Sequence, residues 1–369
     1  MRNKKTALFL PFMQITTGHH HVADTLMDEL QKVDRTIDCQ KVDILSYSYG
    51  KIERLVSSTY LFWIKRIPQT YHWLYDQMAY KEVSKRNRQL LYEAIFMYFF
   101  KRLLKETEPA ILFCTHSLPS HMAGRLKQNG KLHAITVNVY TDYFVNRIWG
   151  IDGIDYHIVP SAQVKTFLIS NGVKEENIFV TGIPVHAAFV KETPRQLDLN
   201  KITVLVSGGN LGVGEIEQFL PSNASDKKLH YYVLCGKNEQ LYKQLQTRKL
   251  SNVTPVSYIF CKKEMNQLYD KVDAILTKPG GVTVSECLGK RKTVFICNAL
   301  PGQEKINAAQ LENMGVIIPV NIQEESVEDQ IISYFSDEDR QEQYRKNVED
   351  YHESLDGKSM AEILKGILY

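Results

Sequence analysis

Short apolar runs alternate with amphipathic stretches along the chain, and this alternation is the first pattern that the sequence shows. Each run holds about four to eight residues, the length of a strand that is buried on both faces. Between the runs, apolar residues return every three or four positions, as they do on one face of a helix. The pattern predicts an α/β fold with parallel sheets. The runs that we interpret as strands are 7–13, 38–45, 109–114, 134–140, 178–181, 201–206, 231–235, 272–276 and 293–297.

The length of the chain and one polar stretch predict two domains. At 369 residues the chain exceeds the usual size of a single domain. Residues 192–200 are polar, show no helix or strand period and contain Pro194, which is typical of a linker. We therefore expect an N-terminal domain over 1–191, a C-terminal domain over 201–345 and a charged helical segment over 346–369.

Composition and charge argue against several classes of protein. Hydrophobic residues make up 44% and charged residues 24% of the chain, which is typical of a globular protein with an ample core. A net charge of +3 is too small to indicate nucleic-acid binding. The six cysteines form no C-x-x-C pair, so we expect reduced thiols in a cytoplasmic protein. No run approaches the roughly 20 apolar residues that span a bilayer. We expect a protein that is soluble or lies on a membrane surface.

A glycine-rich turn after the run 272–276 has the features of an anion site. The turn reads Lys278-Pro279-Gly280-Gly281, and residues 283–288 have the composition of a helix start. The first N–H groups of a helix lack partners within it, and the helix dipole favours a negative group there. Glycine lets a phosphate approach the backbone closely. Glu286 lies about one turn further on, where a carboxylate can accept two hydrogen bonds from a ribose diol.

Two further turns follow predicted strands. After the run 293–297, the sequence Pro301-Gly302-Gln303-Glu304-Lys305-Ile306-Asn307 places polar groups on a predicted loop. After the run 201–206, four glycines occur within residues 208–214 ahead of a predicted helix. This second turn either cradles a phosphate or is simply a tight turn, and it lacks the Gly-Lys-Ser/Thr ending of a P-loop. Ligands of open α/β sheets gather at such strand ends.

The spacing of these motifs closely resembles a known group of enzymes, the monogalactosyldiacylglycerol synthases and processive diacylglycerol glucosyltransferases of glycosyltransferase family 28. The resemblance implies the glycosyltransferase-B architecture, in which two Rossmann-like domains face a cleft and the final segment packs back across the first domain. It covers most of the chain. The matching residues are Lys278-Pro279-Gly280-Gly281, Thr283, Glu286, Pro301-Gly302-Gln303-Glu304-Lys305, Asn307, Gly18-His19, the segment 141–149 and Gly182-Ile183-Pro184-Val185.

The resemblance implies an inverting enzyme that transfers a hexose from UDP-glucose or UDP-galactose to a lipid hydroxyl, on diacylglycerol or a glycolipid. No metal or other cofactor is required if two helix N-termini and Lys278 neutralise the diphosphate. The D-x-D sequence Asp337-Glu338-Asp339 is interpreted as a helix cap. The implied donor-binding residues are Gly18, Gly208, Gly209, Asn210, Gly212, Phe260, Cys261, Met265, Lys278, Pro279, Gly280, Gly281, Thr283, Glu286, Gly302, Gln303, Glu304, Lys305 and Asn307.

For the acceptor side, the resemblance implies His19 as the general base, with Asp142 orienting it or binding acceptor hydroxyls. An imidazole titrates near pH 6.5 and can therefore accept a proton from a hydroxyl at neutral pH. Asn146 replaces a histidine of the family, and an amide cannot transfer a proton, which leaves the acceptor open. From position alone, His19 fits a surface or metal-binding histidine cluster on a predicted turn at 16–21, and Asp142 fits a strand-end cap. The implied acceptor-binding residues are His116, Tyr143, Asn146 and Trp149.

Residues 51–106 combine basic and aromatic side chains. They contain eleven Lys and Arg against five Asp and Glu, together with Trp63 and Trp73. Such a segment suits a peripheral binder of anionic lipid, because charge attracts it to the surface and aromatic rings sit at the headgroup level. Amphipathic helices with aromatic residues in the core are the alternative, above all for 92–100. We expect a cytoplasmic protein on the inner face of the cell membrane, and no nucleic-acid partner, because no nucleic-acid motif is present.

Other functions are compatible with the same sequence. One alternative keeps the UDP-sugar and replaces the lipid by a soluble acceptor or a cell-wall precursor. Another is a UDP-sugar-binding regulator without turnover, which the replacement at Asn146 leaves open. A non-hydrolysing sugar-nucleotide epimerase shares the architecture but less of the motif pattern.

Overall fold

A computed structural model describes residues 5–12, 18–49, 90–189, 197–208, 228–297, 299, 302–321, 323 and 325–369. The chain divides into two compact units, Met1–Pro184 with Ser354–Tyr369, and Val185–Glu353. The division at Pro184 comes before residue 191, where the sequence places the end of the first domain. Phe189 accounts for the earlier division, because its ring packs edge-on against Tyr269 of the second unit, with 5.5 Å between the ring centroids.

The first unit is built on a six-stranded parallel sheet with the order β2-β1-β3-β4-β5-β6. Each predicted run of this unit contains a strand. One further strand, β5, was not predicted, because His157 interrupts its apolar pattern. The strands are β1 (Thr6–Leu10), β2 (Asp38–Lys41), β3 (Ile111–Cys114), β4 (Ile135–Val139), β5 (Tyr156–Val159) and β6 (Ile178–Val180).

Helices cover this sheet and bury its apolar side chains. Phe100 and Met122 share one core cluster with Leu8 and Leu112 of the sheet. Each such side chain contributes roughly 1.5–3 kcal/mol when it is fully buried. The helices are α1 (Gly18–Val33), α2 (Ile44–Tyr49), α3 (Leu90–Thr107), α4 (Ser117–Gln128) and α5 (Ala162–Ser170).

The start of α1 corrects one prediction. Residues 16–21 were predicted to form a turn, but α1 begins at Gly18, so His19 lies in its first helical turn. The apolar period of this helix starts only at Val22. A pattern of apolar positions therefore cannot reveal the polar first turn.

The end of β2 corrects another prediction. The run 38–45 was interpreted as one strand, whereas β2 ends at Lys41. The carboxylate of Asp43 accepts hydrogen bonds from the N–H groups of Leu45 (2.8 Å) and Ser46 (3.3 Å). Asp43 thus caps α2 and stops the extended conformation.

The second unit is also built on a six-stranded parallel sheet, with the order β12-β11-β10-β7-β8-β9. Two sheets of this kind with flanking helices confirm the predicted α/β class. The strands are β7 (Ile202–Ser207), β8 (Leu229–Leu234), β9 (Val253–Val256), β10 (Ala274–Thr277), β11 (Thr293–Ile296) and β12 (Ile318–Pro319). The helices are α6 (Glu239–Arg248), α7 (Lys262–Lys271), α8 (Gly281–Gly289), α9 (Gln303–Asn313), α10 (Val327–Phe335) and α11 (Glu338–Glu353).

The order of strands reverses beside the first strand of each sheet. In the first unit this switch point lies between β1 and β3, where Leu10 pairs with Cys114. In the second unit it lies between β7 and β10, where Ser207 pairs with Thr277. Open α/β sheets bind ligands beyond the carboxyl ends of the strands at such points. The loops after these four strands are therefore the places to look for a site.

The last helix, α12 (Met360–Leu368), belongs to the first unit and packs against α1. The hydroxyl of Tyr369 donates a hydrogen bond to Asp34 (2.6 Å). Ahead of the helix, the backbone of Asp356 donates to the carbonyl of Val180 in β6 (2.8 Å). The C-terminal segment thereby supports the helix that carries His19. In the described part of the chain, no helix has the length and apolar character that a membrane span needs.

Candidate active site

His19 lies at the switch point of the first sheet and is fixed through one ring nitrogen. Its Nδ1 is 2.8 Å from the carbonyl oxygen of Thr115, which follows β3. The same nitrogen is 2.9 Å from the hydroxyl of Thr141, which follows β4. Because a carbonyl oxygen can only accept a hydrogen bond, Nδ1 carries the proton. In the neutral ring Nε2 then holds the lone pair, which is the arrangement that a general base needs.

Electrostatics keep His19 neutral near pH 7. Burial lowers the pKa of His19, and the nearby Asp142 carboxylate acts in the opposite direction without reversing the shift. His116 meets the ring of His19 edge-on, with 4.9 Å between the ring centroids. Burial also holds the pKa of His116 well below its usual value. Its Nδ1 accepts a hydrogen bond from the Leu118 N–H (3.1 Å) and so caps α4.

The other predicted acceptor residues lie after β4. Tyr143 and Trp149 are buried, and Trp149 packs at 4.5 Å from the ring of Tyr140 in the hydrophobic core. The side-chain oxygen of Asn146 accepts a hydrogen bond from the Ile148 N–H (3.0 Å). Asn146 therefore holds a local turn. Of the predicted acceptor set, the structure brings His116 into contact with His19.

In the second unit, the predicted anion turn connects β10 to α8. Gly280 is the N-cap residue, and no side chain caps the helix there. The first helical hydrogen bond runs from the Val284 N–H to the carbonyl of Gly280 (3.0 Å). A Cβ atom at Gly280 would meet no atom of the described residues within 4 Å. The N-terminus of α8 thus has room for a ligand group at its backbone.

The neighbouring strand β11 leads to a second helix N-terminus. Gly302 caps α9 with φ 92° and ψ −126°, a conformation that only glycine adopts readily. The sequence placed Gln303 to Asn307 on a loop, but they form the first turns of α9. Lys278 and Glu304 both act on the thiol of Cys297, whose pKa burial raises to about 12. The two turns therefore lie side by side at the carboxyl edge of the sheet.

Glu286 on α8 is held by two residues of α7. The hydroxyl of Tyr269 donates a hydrogen bond to Oε2 of Glu286 (3.1 Å). Nζ of Lys262 lies 3.9 Å from Oε1. Burial raises the pKa of the Glu286 carboxyl, whereas Lys262 and Tyr269 act to lower it. Sequence reasoning missed both partners, because they lie on a different helix and belong to no motif.

Comparisons with known proteins match both halves of this arrangement. The family model for monogalactosyldiacylglycerol (MGDG) synthase matches residues 19–185, and the model for the glycosyltransferase family 28 C-terminal domain matches residues 203–363. A Bacillus subtilis protein named as the uncharacterized glycosyltransferase YkoN is 40% identical over 99% of this chain and 98% of its own length.

The chain belongs to glycosyltransferase family 28. A processive diacylglycerol beta-glucosyltransferase of Bacillus subtilis is 31% identical, over 59% of each chain. Among solved structures, MurG of Acinetobacter baumannii superposes with a TM-score of 0.59 at 14% identity, covering 99% of both chains. The S. aureus MnaA-UDP structure superposes with a TM-score of 0.61 at 14% identity, covering 99% of this chain and 96% of that one. These likenesses confirm the predicted glycosyltransferase-B fold.

Among the remaining predicted donor residues of this family 28 chain, Gly18 is the first residue of α1 and belongs to the first unit. Gly208 follows β7, and Gly209, Asn210 and Gly212 lie outside the described residues. The side chain of Phe260 is 85% exposed. Cys261 is the N-cap residue of α7, and Met265 lies on that helix.

The D-x-D sequence lies at the start of α11. The Asp337 carboxylate accepts a hydrogen bond from the Arg340 N–H (3.0 Å) at the start of α11, as expected of a helix cap. Across the described residues, no three His, Cys, Asp or Glu side chains are grouped to hold a metal ion.

Proposed function

We propose that this chain is an inverting glycosyltransferase that moves a hexose from UDP-glucose or UDP-galactose to a lipid hydroxyl, on diacylglycerol or a glycolipid. Membership of family 28 supports the reaction class. The name of the 31% identical relative, a processive diacylglycerol beta-glucosyltransferase, supports the lipid acceptor. The observation that carries the mechanism is the neutral His19, whose Nδ1 is fixed while Nε2 keeps its lone pair.

In the proposed reaction, Nε2 of His19 takes the proton of the acceptor hydroxyl. The acceptor oxygen then attacks the anomeric carbon from the face opposite UDP, and the bond to UDP breaks with inversion. The N-termini of α8 and α9, together with Lys278, stabilise the charge that develops on the departing diphosphate. Such preorganised donors contribute about 3–4 kcal/mol each to lowering a barrier. This charge balance supports a reaction that needs neither a metal nor another cofactor.

The donor is proposed to be held by side chains of the second unit. Glu286 accepts hydrogen bonds from the ribose diol of the nucleotide. Gln303, Glu304 and Asn307 bind hydroxyl groups of the sugar from the first turns of α9. Gly280 lets the diphosphate reach the backbone of α8, because its missing side chain leaves that space open.

We further propose a cytoplasmic protein that lies on the inner face of the cell membrane. The basic and aromatic segment 51–106 supports this location, although residues 51–89 lie outside the described part of the chain. In the described part, Phe96 and Phe100 of α3 are buried in the core, whereas Tyr98 on the same helix is 69% exposed. An exposed aromatic residue on a helix with basic neighbours suits the headgroup region.

A transfer assay tests the proposed function. Purified protein is incubated with labelled UDP-glucose or UDP-galactose and with vesicles that contain diacylglycerol, and the lipids are then separated. We expect a labelled glycolipid from one donor. Sugar transfer that needs no lipid, or no transfer and no donor hydrolysis at all, would contradict the proposal. The second result would favour a UDP-sugar-binding regulator.

A soluble acceptor or a cell-wall precursor is the second candidate. It is favoured by Asn146, which replaces a family histidine and whose side-chain oxygen accepts a bond from its own turn. A residue engaged in this way offers no proton relay to a lipid hydroxyl. Activity with soluble acceptors in the absence of lipid and detergent would select this candidate.

A further inference from the structure

Glu286 is anchored through one oxygen and faces a cation through the other. Tyr269, which bonds Oε2, is buried, and its ring packs edge-on against Phe189, so its hydroxyl has one position. Lys262 begins α7 and Tyr269 lies two turns later on the same face, so one helix carries both partners of the carboxylate. The arrangement fixes the rotamer of Glu286 before any ligand arrives.

We propose that Tyr269 and Lys262 are positioning residues that prepare Glu286 to bind the ribose diol of the donor nucleotide. This inference rests on the proposed function. A carboxylate held at Oε2 keeps its remaining lone pairs in one orientation, so two adjacent hydroxyl groups can bind without a search among rotamers. The hydroxyl of Tyr269 thereby acts on the nucleotide only through Glu286.

Lys262 has a different task, which is to keep the carboxylate charged. Burial raises the pKa of Glu286, and a protonated carboxyl group accepts hydrogen bonds less well. Nζ of Lys262, 3.9 Å from Oε1, opposes this shift by its charge. Removing Lys262 therefore moves the pKa of Glu286 upward but leaves the anchor at Oε2 in place. Removing the Tyr269 hydroxyl moves the pKa in the same direction and also releases the anchor.

Calorimetric titration separates these two tasks, using the full chain with UDP and with 2′,3′-dideoxy-UDP between pH 6 and pH 9. The wild type should bind UDP at least about tenfold more tightly than the dideoxy analogue. In Tyr269→Phe this preference should fall to nearly one at every pH, because the orientation is lost. In Lys262→Met it should be weaker than in the wild type at pH 6 and should increase towards pH 9, because a higher pH favours the ionised carboxylate. Binding of the dideoxy analogue should stay unchanged in both variants.

Matched variants keep the test decisive. Tyr334→Phe removes another buried tyrosine hydroxyl of the second unit, and Lys263→Met removes the exposed neighbouring charge. Both should keep the wild-type preference. If Glu286→Gln loses the preference while Tyr269→Phe and Lys262→Met keep it, the inference is wrong and the proposed function stands. If the wild type binds no UDP, the proposed function fails. Thermal unfolding of each variant verifies that it is folded.

Discussion

At the scale of single residues, the proposed reaction depends on the protonation of His19. His19→Ala should lower kcat by about 100-fold to 10,000-fold, because the variant lacks the group that is proposed to take the proton of the acceptor. The affinity for UDP should stay within about twofold, since the nucleotide is assigned to the other unit. Steady-state kinetics and calorimetry measure the two effects. His133→Ala, which changes an exposed histidine of the same unit, is the matched control and should behave as the wild type.

Asp142 should influence the pH at which kcat/KM falls on the acidic side of its pH profile. Its carboxylate raises the pKa of His19 against the larger effect of burial. Asp142→Asn removes this charge, so the pKa of His19 should fall further, and activity should persist to lower pH. The limb of kcat/KM against pH reports this pKa in the free enzyme. A limb that moves to higher pH would show that another group is the base.

The partners of His19 illustrate what a sequence reveals about a site. His19 and Asp142 were predicted from their motifs, and the structure places Asp142 close enough to His19 for its charge to act on the pKa of the imidazole. Thr115 and Thr141, which fix the ring, lie 96 and 122 residues from His19 in the chain, and no role was predicted for either of them, although Thr141 begins the matching segment 141–149. Their roles arise from the order of strands in the sheet. No local pattern encodes that order.

At the scale of elements, the two glycine caps of the second unit should respond differently to alanine. Gly280→Ala should change the free energy of unfolding by less than about 1 kcal/mol, because its φ of −76° suits any residue and its Cβ would meet no described residue within 4 Å. It should nevertheless weaken UDP binding by about tenfold, since the methyl group fills the space proposed for phosphate.

Gly302→Ala should have the opposite effects, with a larger loss of stability and a smaller loss of UDP affinity than Gly280→Ala. Its φ of 92° and ψ of −126° strain any residue with a Cβ, so we expect a loss of about 1–3 kcal/mol in stability. Urea unfolding and calorimetry on both variants provide the comparison. Equal effects of the two substitutions on UDP affinity and on stability would contradict the assigned roles.

The pattern of apolar positions predicts some of these elements closely and misses the starts of others. Buried strands such as β10 and β11 were predicted closely, because a short apolar run bounded by turn residues is typical of a strand covered on both faces. The first turns of α1 and α9 were predicted as a turn and a loop. Both turns are polar, and polar first turns lack the apolar period that marks a helix. His19 and Gln303, for which we propose functional roles, lie in these turns.

At the scale of the whole molecule, the first unit should be sensitive to acid. Burial lowers the pKa of His19, His116, His121 and His157, and that of His157 is about 4. In the unfolded chain a histidine titrates near 6.5. As pH falls below 6.5, the unfolded state therefore binds protons that the folded state does not. The free energy of unfolding should therefore decrease as the pH falls. His157 alone should account for a decrease of about 3 kcal/mol once the pH is below 4.

Tryptophan fluorescence can follow this unit selectively, because Trp63, Trp73 and Trp149 all precede Pro184. Urea titrations between pH 7 and pH 4.5 should show a falling midpoint. His157→Gln should reduce the dependence on pH. A midpoint that stays constant over this range would contradict the burial of neutral histidines.

The configuration of the product reveals the direction from which the acceptor attacks. We expect that an α-linked UDP-hexose and diacylglycerol yield a glycolipid whose sugar is β-linked, because His19 activates an oxygen that attacks opposite the departing UDP. The anomeric proton coupling in the NMR spectrum of the purified lipid distinguishes the two linkages. A β-linked product that disappears in His19→Ala is the expected result. An α-linked product, or a β-linked product made equally well by His19→Ala, would contradict the account.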